Sequence, residues 1–235
     1  MVKAVFFDFY NTLVRFWPPV DEIQQASCKE LGLNVSKEGI RRGYALADEY
    51  MSAENSRVPL AERTTEERDL FFAEYERLII KGAGIDVTPR LAEQVWGMAT
   101  QVPKYFDLFD DVLSGLELLK KRGITLAVIT NLRRDMGKEC GDLGLTPYLD
   151  FCVTSTDAGA EKPHAPIFLT ALKRARVEPG EAIHVGDLYH ADIRGAREVG
   201  ITPVLLDREG WRRDVMDCPK ITSLTDLDRL VAEGL

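Results

Sequence analysis

Polar residues follow directly on short apolar runs at several points in this chain. Asp8 ends the run Ala4–Phe7, and Thr130 and Asn131 close the run Thr125–Thr130 in AVITN. Lys162, in EKPHAPIF, comes after Phe151–Thr154, and Asp187 and Asp192 follow Ile183–Gly186 in HVGDLYHAD. Apolar runs without polar alternation mark strands of a parallel sheet covered on both faces. Ligands of such open α/β sheets bind beyond the carboxyl ends of the strands. Positions far apart in sequence are therefore expected to meet on one rim. An aspartate there can act as a nucleophile and form a covalent intermediate. Two facing carboxylates call for a cation, and Mg²⁺ suits hard oxygen ligands and a site completed by a phosphate. Asp8 and Asp187 are the expected ligands, with a main-chain carbonyl near Tyr10 as a third. The Lys162 ammonium and the Thr130 hydroxyl are expected to stabilise the transferring group, with Asn131 as a further substrate contact. Thr12 and Asp192 are read as supporting residues.

The elements that must position these groups alternate. A fifth run, Pro203–Leu206, completes the set of strands. Helical patterns cover Asp111–Arg122, Arg134–Leu143, Pro166–Arg176, Ala191–Val199 and, at the end, Ser223–Glu233. Strands alternating with helices of this length predict right-handed βαβ crossovers. The expected fold class is α/β: a doubly wound, mainly parallel, Rossmann-like sheet. The stretch from Phe16 to Gln101 differs. It shows no strand pattern and four amphipathic helices, Asp21–Leu31, Ser36–Ala53, Thr65–Lys81 and Pro89–Thr100, separated by Gly32, Asn55–Pro59 and Gly82/Gly84. Ser36 is a capping candidate, whereas Thr65 with Arg68 makes no capping box. The expected organisation is a catalytic core of residues 1–15 and 102–235 with a helical cap, 16–101, inserted after the first strand.

The 235 residues are 45% hydrophobic and 29% charged, an ordinary globular composition. The formal net charge of -8 disfavours a phosphate-coating surface, so no nucleic-acid partner is expected. No apolar stretch approaches the roughly 18 residues of a membrane span. Cys28, Cys140, Cys152 and Cys218 are scattered without a CxxC pair, which fits reduced thiols acting as buried small hydrophobes in a cytoplasmic protein. The expected partner is a small-molecule substrate; oligomeric state is not legible.

Taken together, DFYNT at 8–12, Thr130, Lys162 and GDLYHAD at 186–192 resemble the haloacid dehalogenase (HAD) superfamily of aspartate-nucleophile hydrolases. That family's pattern is a strand ending in DxDxT or DxDxV, a strand ending in Ser or Thr, a downstream Lys, and a strand ending in acids, often GDxxxxD. The resemblance spans essentially the whole chain, helical insert included. It implies a Mg²⁺-dependent phosphatase acting on a small phosphorylated metabolite.

Position 10 departs from that pattern. Most phosphatases of the family carry aspartate there, which protonates the leaving oxygen and then activates water. Tyrosine, with a reference pKa near 10, is a donor and a poor base at neutral pH. The family's metal-independent 2-haloacid dehalogenases do carry Tyr at this point, in DxYGT. They lack the acidic GD pair, however, and usually have Gly where this chain has Asn11 and Ser-Asn where it has Thr130-Asn131. The acid pair carries more weight here, because carboxylates crowded at a rim are costly without a cation. A dehalogenase and a slow family member acting as a binding protein stand as alternatives. Among the histidines, His184 reads as a core residue inside its strand, and His190 as a candidate acid or base.

Overall fold

The computed structural model describes residues 1–234. Eight strands are present among them: β1 (Ala4–Phe7), β2 (Val14–Trp17), β3 (Tyr105–Leu108), β4 (Thr125–Thr130), β5 (Phe151–Thr154), β6 (Ala182–Gly186), β7 (Thr202–Leu206) and β8 (Lys220–Ile221). Six form one sheet in the order β5-β4-β1-β6-β7-β8, and every neighbouring pair is parallel. This is the α/β, Rossmann-like arrangement expected from the apolar runs. The helices are α1 (Val20–Glu30), α2 (Lys37–Arg57), α3 (Thr65–Gly82), α4 (Pro89–Gln101), α5 (Val112–Lys121), α6 (Met136–Asp142), α7 (Ser155–Ala158), α8 (Ala165–Ala175), α9 (Gly195–Glu198) and α10 (Asp226–Glu233). None is long and apolar enough to cross a membrane.

The chain divides into two compact units, one of Met1–Arg15 with Asp107–Leu235, the other Phe16–Phe106. In the first, Ala4 and Phe6 of β1, Ala127 and Ile129 of β4, and Val153 of β5 pack with Ile167, Phe168, Ala171 and Leu172 of α8. The alternate strand residues Val5, Phe7 and Val128 point to the opposite face and are equally buried. Both faces of the sheet are therefore covered, which is why its strands read as unbroken apolar runs.

In the second unit, Ile40 and Ala47 of α2, Tyr75, Ile79 and Ile80 of α3, and Val95 of α4 share a core with Cys28. Glycine sets the approach of α2 to α3: a Cβ at Gly43 would collide with the backbone of Ile79, and one at Gly82 with the backbone of Gly43. A capping box of Thr64 and Glu67 precedes α3, which starts at Thr65 as the sequence suggested. A short ribbon of β2 and β3 replaces the strand-free pattern read at the edges of this segment, with Phe16 stacked on Phe106 at 5.0 Å between ring centres. Neither strand is an unbroken apolar run, since Arg15 interrupts VRFW and Asp107 interrupts YFDL.

This helical core also encloses a carboxyl group. Glu76 is fully buried and its Oε2 accepts from Gln24 Nε2 at 2.7 Å. Burial pushes Glu76 up to about 8, against the opposing effect of the Gln24 bond. The folded state therefore holds this proton more tightly than the unfolded chain does, and stability falls as pH rises from about 4.5 through 8. Glu76→Gln keeps the accepting oxygen and removes the ionisation. Its urea-unfolding free energy, measured from about pH 5 to pH 9, is expected to gain on the wild type by roughly 3 kcal/mol at the alkaline end.

Candidate active site

Strand ends of the first unit supply the charged cluster. β1 stops at Phe7 and presents Asp8, whose backbone N–H donates to the Val185 carbonyl at 2.8 Å, tying it to β6. The turn after it passes through Asn11 at φ +60°. Asparagine is among the few side chains that tolerate this left-handed conformation, so it can serve where related sequences use glycine. β6 ends at Gly186 and delivers Asp187. A π-helical turn, Tyr189–Arg194, then brings Asp192 back against the strand end, where the sequence suggested a plain helix over Ala191–Val199. A side chain at position 186 would clash with the Asp192 carboxylate, so the fold requires glycine there.

Lys162 lies between the acids. Its Nζ donates to Asp8 Oδ1 at 2.5 Å and to Asp192 Oδ1 at 2.6 Å, with only 3% of its side chain exposed. Asp192 Oδ1 also meets His184 Nε2 at 2.9 Å, and its Oδ2 accepts the Leu188 N–H at 3.1 Å. Asn131 fixes the Lys162 main chain from the other side: its Oδ1 accepts the Lys162 N–H at 2.7 Å and its Nδ2 donates to the Lys162 carbonyl at 3.1 Å. Thr130 is buried, and its Oγ1 accepts the Leu132 N–H at 3.2 Å, which leaves the hydroxyl hydrogen to donate.

These contacts drive the titrations apart. Burial raises Asp8 to about 6; Lys162 opposes the rise and Asp192 adds to it. Burial acts on Asp192 in the same sense, but Lys162 and His184 outweigh it and hold that carboxyl at about 2. Burial would lower Lys162, yet Asp192 and Asp8 together hold it above its ordinary value. His184 is lowered, chiefly by burial. It is therefore neutral at pH 7 and donates its Nε2 proton to Asp192, while Nδ1 has no hydrogen-bond partner among the described residues.

Asp8, Asp187 and Asp192 each offer an oxygen within 4.8 Å of the others. Three carboxylates against one ammonium leave a charge of -2 when all are ionised. A hard divalent cation matches that donor set and that charge. Asp192 is committed to Lys162, His184 and Leu188, so Asp8 and Asp187 are the residues suited to hold such a cation.

The structure thus gathers Asp8, Lys162, Asp187, Asp192 and Asn131, with Thr130 at the adjoining strand end. Tyr10 is half-buried and bridges to Val14 in the loop after β1. Thr12 is fully buried: its carbonyl accepts from Arg208 at 2.9 Å, and its hydroxyl has no hydrogen-bond partner among the described residues. His184 is the residue whose part in the site the sequence concealed. It is buried, as expected, but its partner is a site carboxylate. The clue was period two: His184 and Gly186 share a strand face, and Asp192 lies against Gly186.

This is an α/β fold whose acids meet at the carboxyl ends of parallel strands. Residues 2–200 match the haloacid dehalogenase-like hydrolase family, to which the chain belongs. It is 30% identical over 208 residues to human "Haloacid dehalogenase-like hydrolase domain-containing protein 3", covering 87% of this chain and 82% of that one. It is also 30% identical over 212 residues to "Ribulose-1,5-bisphosphate 5-phosphatase" of Halopiger xanaduensis, covering 88% and 85%. Among solved structures, a "2-Haloacid Dehalogenase" from Pseudomonas syringae aligns over 100% of both chains with a TM-score of 0.58 and 27% identity.

Replacing Lys162 by Met leaves two buried carboxylates without their shared counterion, a class of change that costs about 3–5 kcal/mol. Lys162→Met is expected to lose that much in urea unfolding at neutral pH with chelator present. The deficit should shrink as pH falls and the carboxylates take up protons.

Proposed function

We propose that this hydrolase is a Mg²⁺-dependent phosphatase of small phosphorylated metabolites, working through an aspartyl-phosphate. The observation that carries the reading is the cluster of three carboxylates and one lysine, whose residual charge of -2 fits a divalent cation next to a nucleophile. The similarity to a named sugar-bisphosphate phosphatase supports the same reaction class.

In this reading Asp8 attacks the phosphorus atom. A bond forms between its carboxylate oxygen and phosphorus as the bond to the leaving oxygen breaks. Water then hydrolyses the acyl phosphate and regenerates Asp8. Lys162 holds Asp8 in place and offsets charge as it builds on the transferring group. The Thr130 hydroxyl donates to a phosphoryl oxygen, and Asn131 contacts substrate from beside the Lys162 main chain that it anchors. Asp192 keeps Lys162 charged and placed, and Thr12 supports the turn. Mg²⁺ would be held by Asp8, Asp187 and the main-chain carbonyl of Tyr10, and would supply Lewis-acid neutralisation of the phosphoryl charge.

Tyr10 donates a hydrogen bond but is a poor general base, so the enzyme suits substrates whose leaving group needs little protonation. A metal-free dehalogenase is favoured by Tyr10 and by the likeness to the Pseudomonas syringae dehalogenase, but it would leave the charge of -2 uncompensated. We further place the protein in the cytoplasm, as a soluble enzyme.

Asp8→Asn is expected to abolish Mg²⁺-dependent phosphate release from a panel of sugar phosphates. Tyr10→Asp should raise turnover of an alkyl phosphate about 10²-fold or more while barely changing that of an activated aryl phosphate. Robust chloride release from a 2-chloroacid in chelator, with no phosphate release in Mg²⁺, would overturn the assignment.

A further inference from the structure

Two thiols that the sequence separates lie side by side in the first unit. Cys140 is buried on α6 and Cys152 is half-buried in β5, an edge strand of the sheet. Their Sγ atoms are 3.7 Å apart, and both are free thiols. A surface cleft lined by Arg133, Met136, Cys140, Phe151, Cys152 and Thr154 gives access to the pair. Spacing alone suggested four thiols acting as buried small hydrophobes. The structure corrects this, because Cys152 and Cys218 are both partly exposed.

We propose that Cys140 and Cys152 form a reversible intrachain disulfide by exchange with a small-molecule disulfide, such as oxidised glutathione, entering that cleft. A disulfide bond is about 2.05 Å long, so the sulfurs need to close by roughly 1.6 Å, a distance that side-chain rotation covers. Across that contact either S–H can donate, so the thiol that stays protonated stabilises its neighbour's thiolate. Cys152 is the more exposed of the two, so it attacks first. Its thiolate bonds to one sulfur of the small disulfide, the S–S bond there breaks, and one glutathione thiolate leaves. Cys140 then gives up its proton to solvent and attacks the Cys152 sulfur, and the second glutathione thiolate leaves. Two protein thiols are oxidised and one small disulfide is reduced to two thiols. The bridge fastens α6 to the edge strand, close to the rim: Thr154 of β5 pairs with Thr130, and Ser155 Oγ donates to the Asn131 carbonyl at 3.2 Å. It is a second site, and it stands whatever substrate the carboxylate cluster takes.

The test uses the full-length protein, reduced, freed of reductant and exposed to oxidised glutathione at about pH 8 under native conditions. Unreacted thiols are then alkylated in denaturant and peptides are mapped without reduction. The expected result is a Cys140–Cys152 linked peptide that dithiothreitol releases, with Cys28 and Cys218 alkylated. Cys140→Ser should trap glutathione on Cys152, whereas in Cys152→Ser the buried Cys140 should react at least about tenfold more slowly. Four alkylated thiols in the wild type would overturn the proposal. So would a linked pair that forms only in urea, or one that joins Cys152 to Cys218.

Discussion

One buried ammonium organises the core of this enzyme. A lysine side chain this poorly solvated is tolerable only when its charge is matched and its hydrogen bonds are made. Lys162 meets both conditions through Asp8 and Asp192. Each remaining feature of the rim serves that arrangement. Gly186 gives Asp192 room, the π-helical turn aims it, and His184 and the Leu188 N–H occupy its remaining lone pairs. Asn131 holds the lysine main chain with both ends of its amide. Withdrawing any one partner would leave charge stranded where water cannot reach it.

The same lysine divides labour between two aspartates that differ little in sequence context. Asp192, saturated with donors, is held well below the usual carboxylate range by Lys162 and His184 against its burial. Asp8 bonds the same lysine, but its burial, with the repulsion of Asp192 added, brings it closer to protonation. Carboxylates pushed apart in this way are the usual sign of separate chemical roles. One serves as fixed counterion, and the other responds to whatever cation and substrate arrive.

Much of this was legible in the sequence. Unbroken apolar runs identified the five principal strands, since burial on both faces suppresses alternation. The rule that ligands lie beyond strand ends then selected Asp8, Thr130, Lys162 and Asp187. What escaped depends on three-dimensional approach rather than local pattern. β2 and β3 carry Arg15 and Asp107 within four residues and so show no apolar run. The π-helical turn follows from the bond geometry around Asp192, and no propensity encodes it. His184 looked like any core histidine, because the carboxylate it meets lies eight residues on and across a turn. The contact of Cys140 with Cys152 likewise arises from the docking of α6 on β5, which spacing cannot report.

The strand order has a further consequence. β1 lies between β4 and β6, so Ala4 is paired with Thr125 on one side and Ala182 on the other. β1 therefore waits for β4 and β6, both far downstream, before its two edges are covered. Such non-local pairing folds slowly and exposes unpaired edges meanwhile. Asp8 inherits that delay, because Asp192 must also be made before Lys162 is balanced. A chain cut short before Asp192 therefore lacks the complete charge cluster.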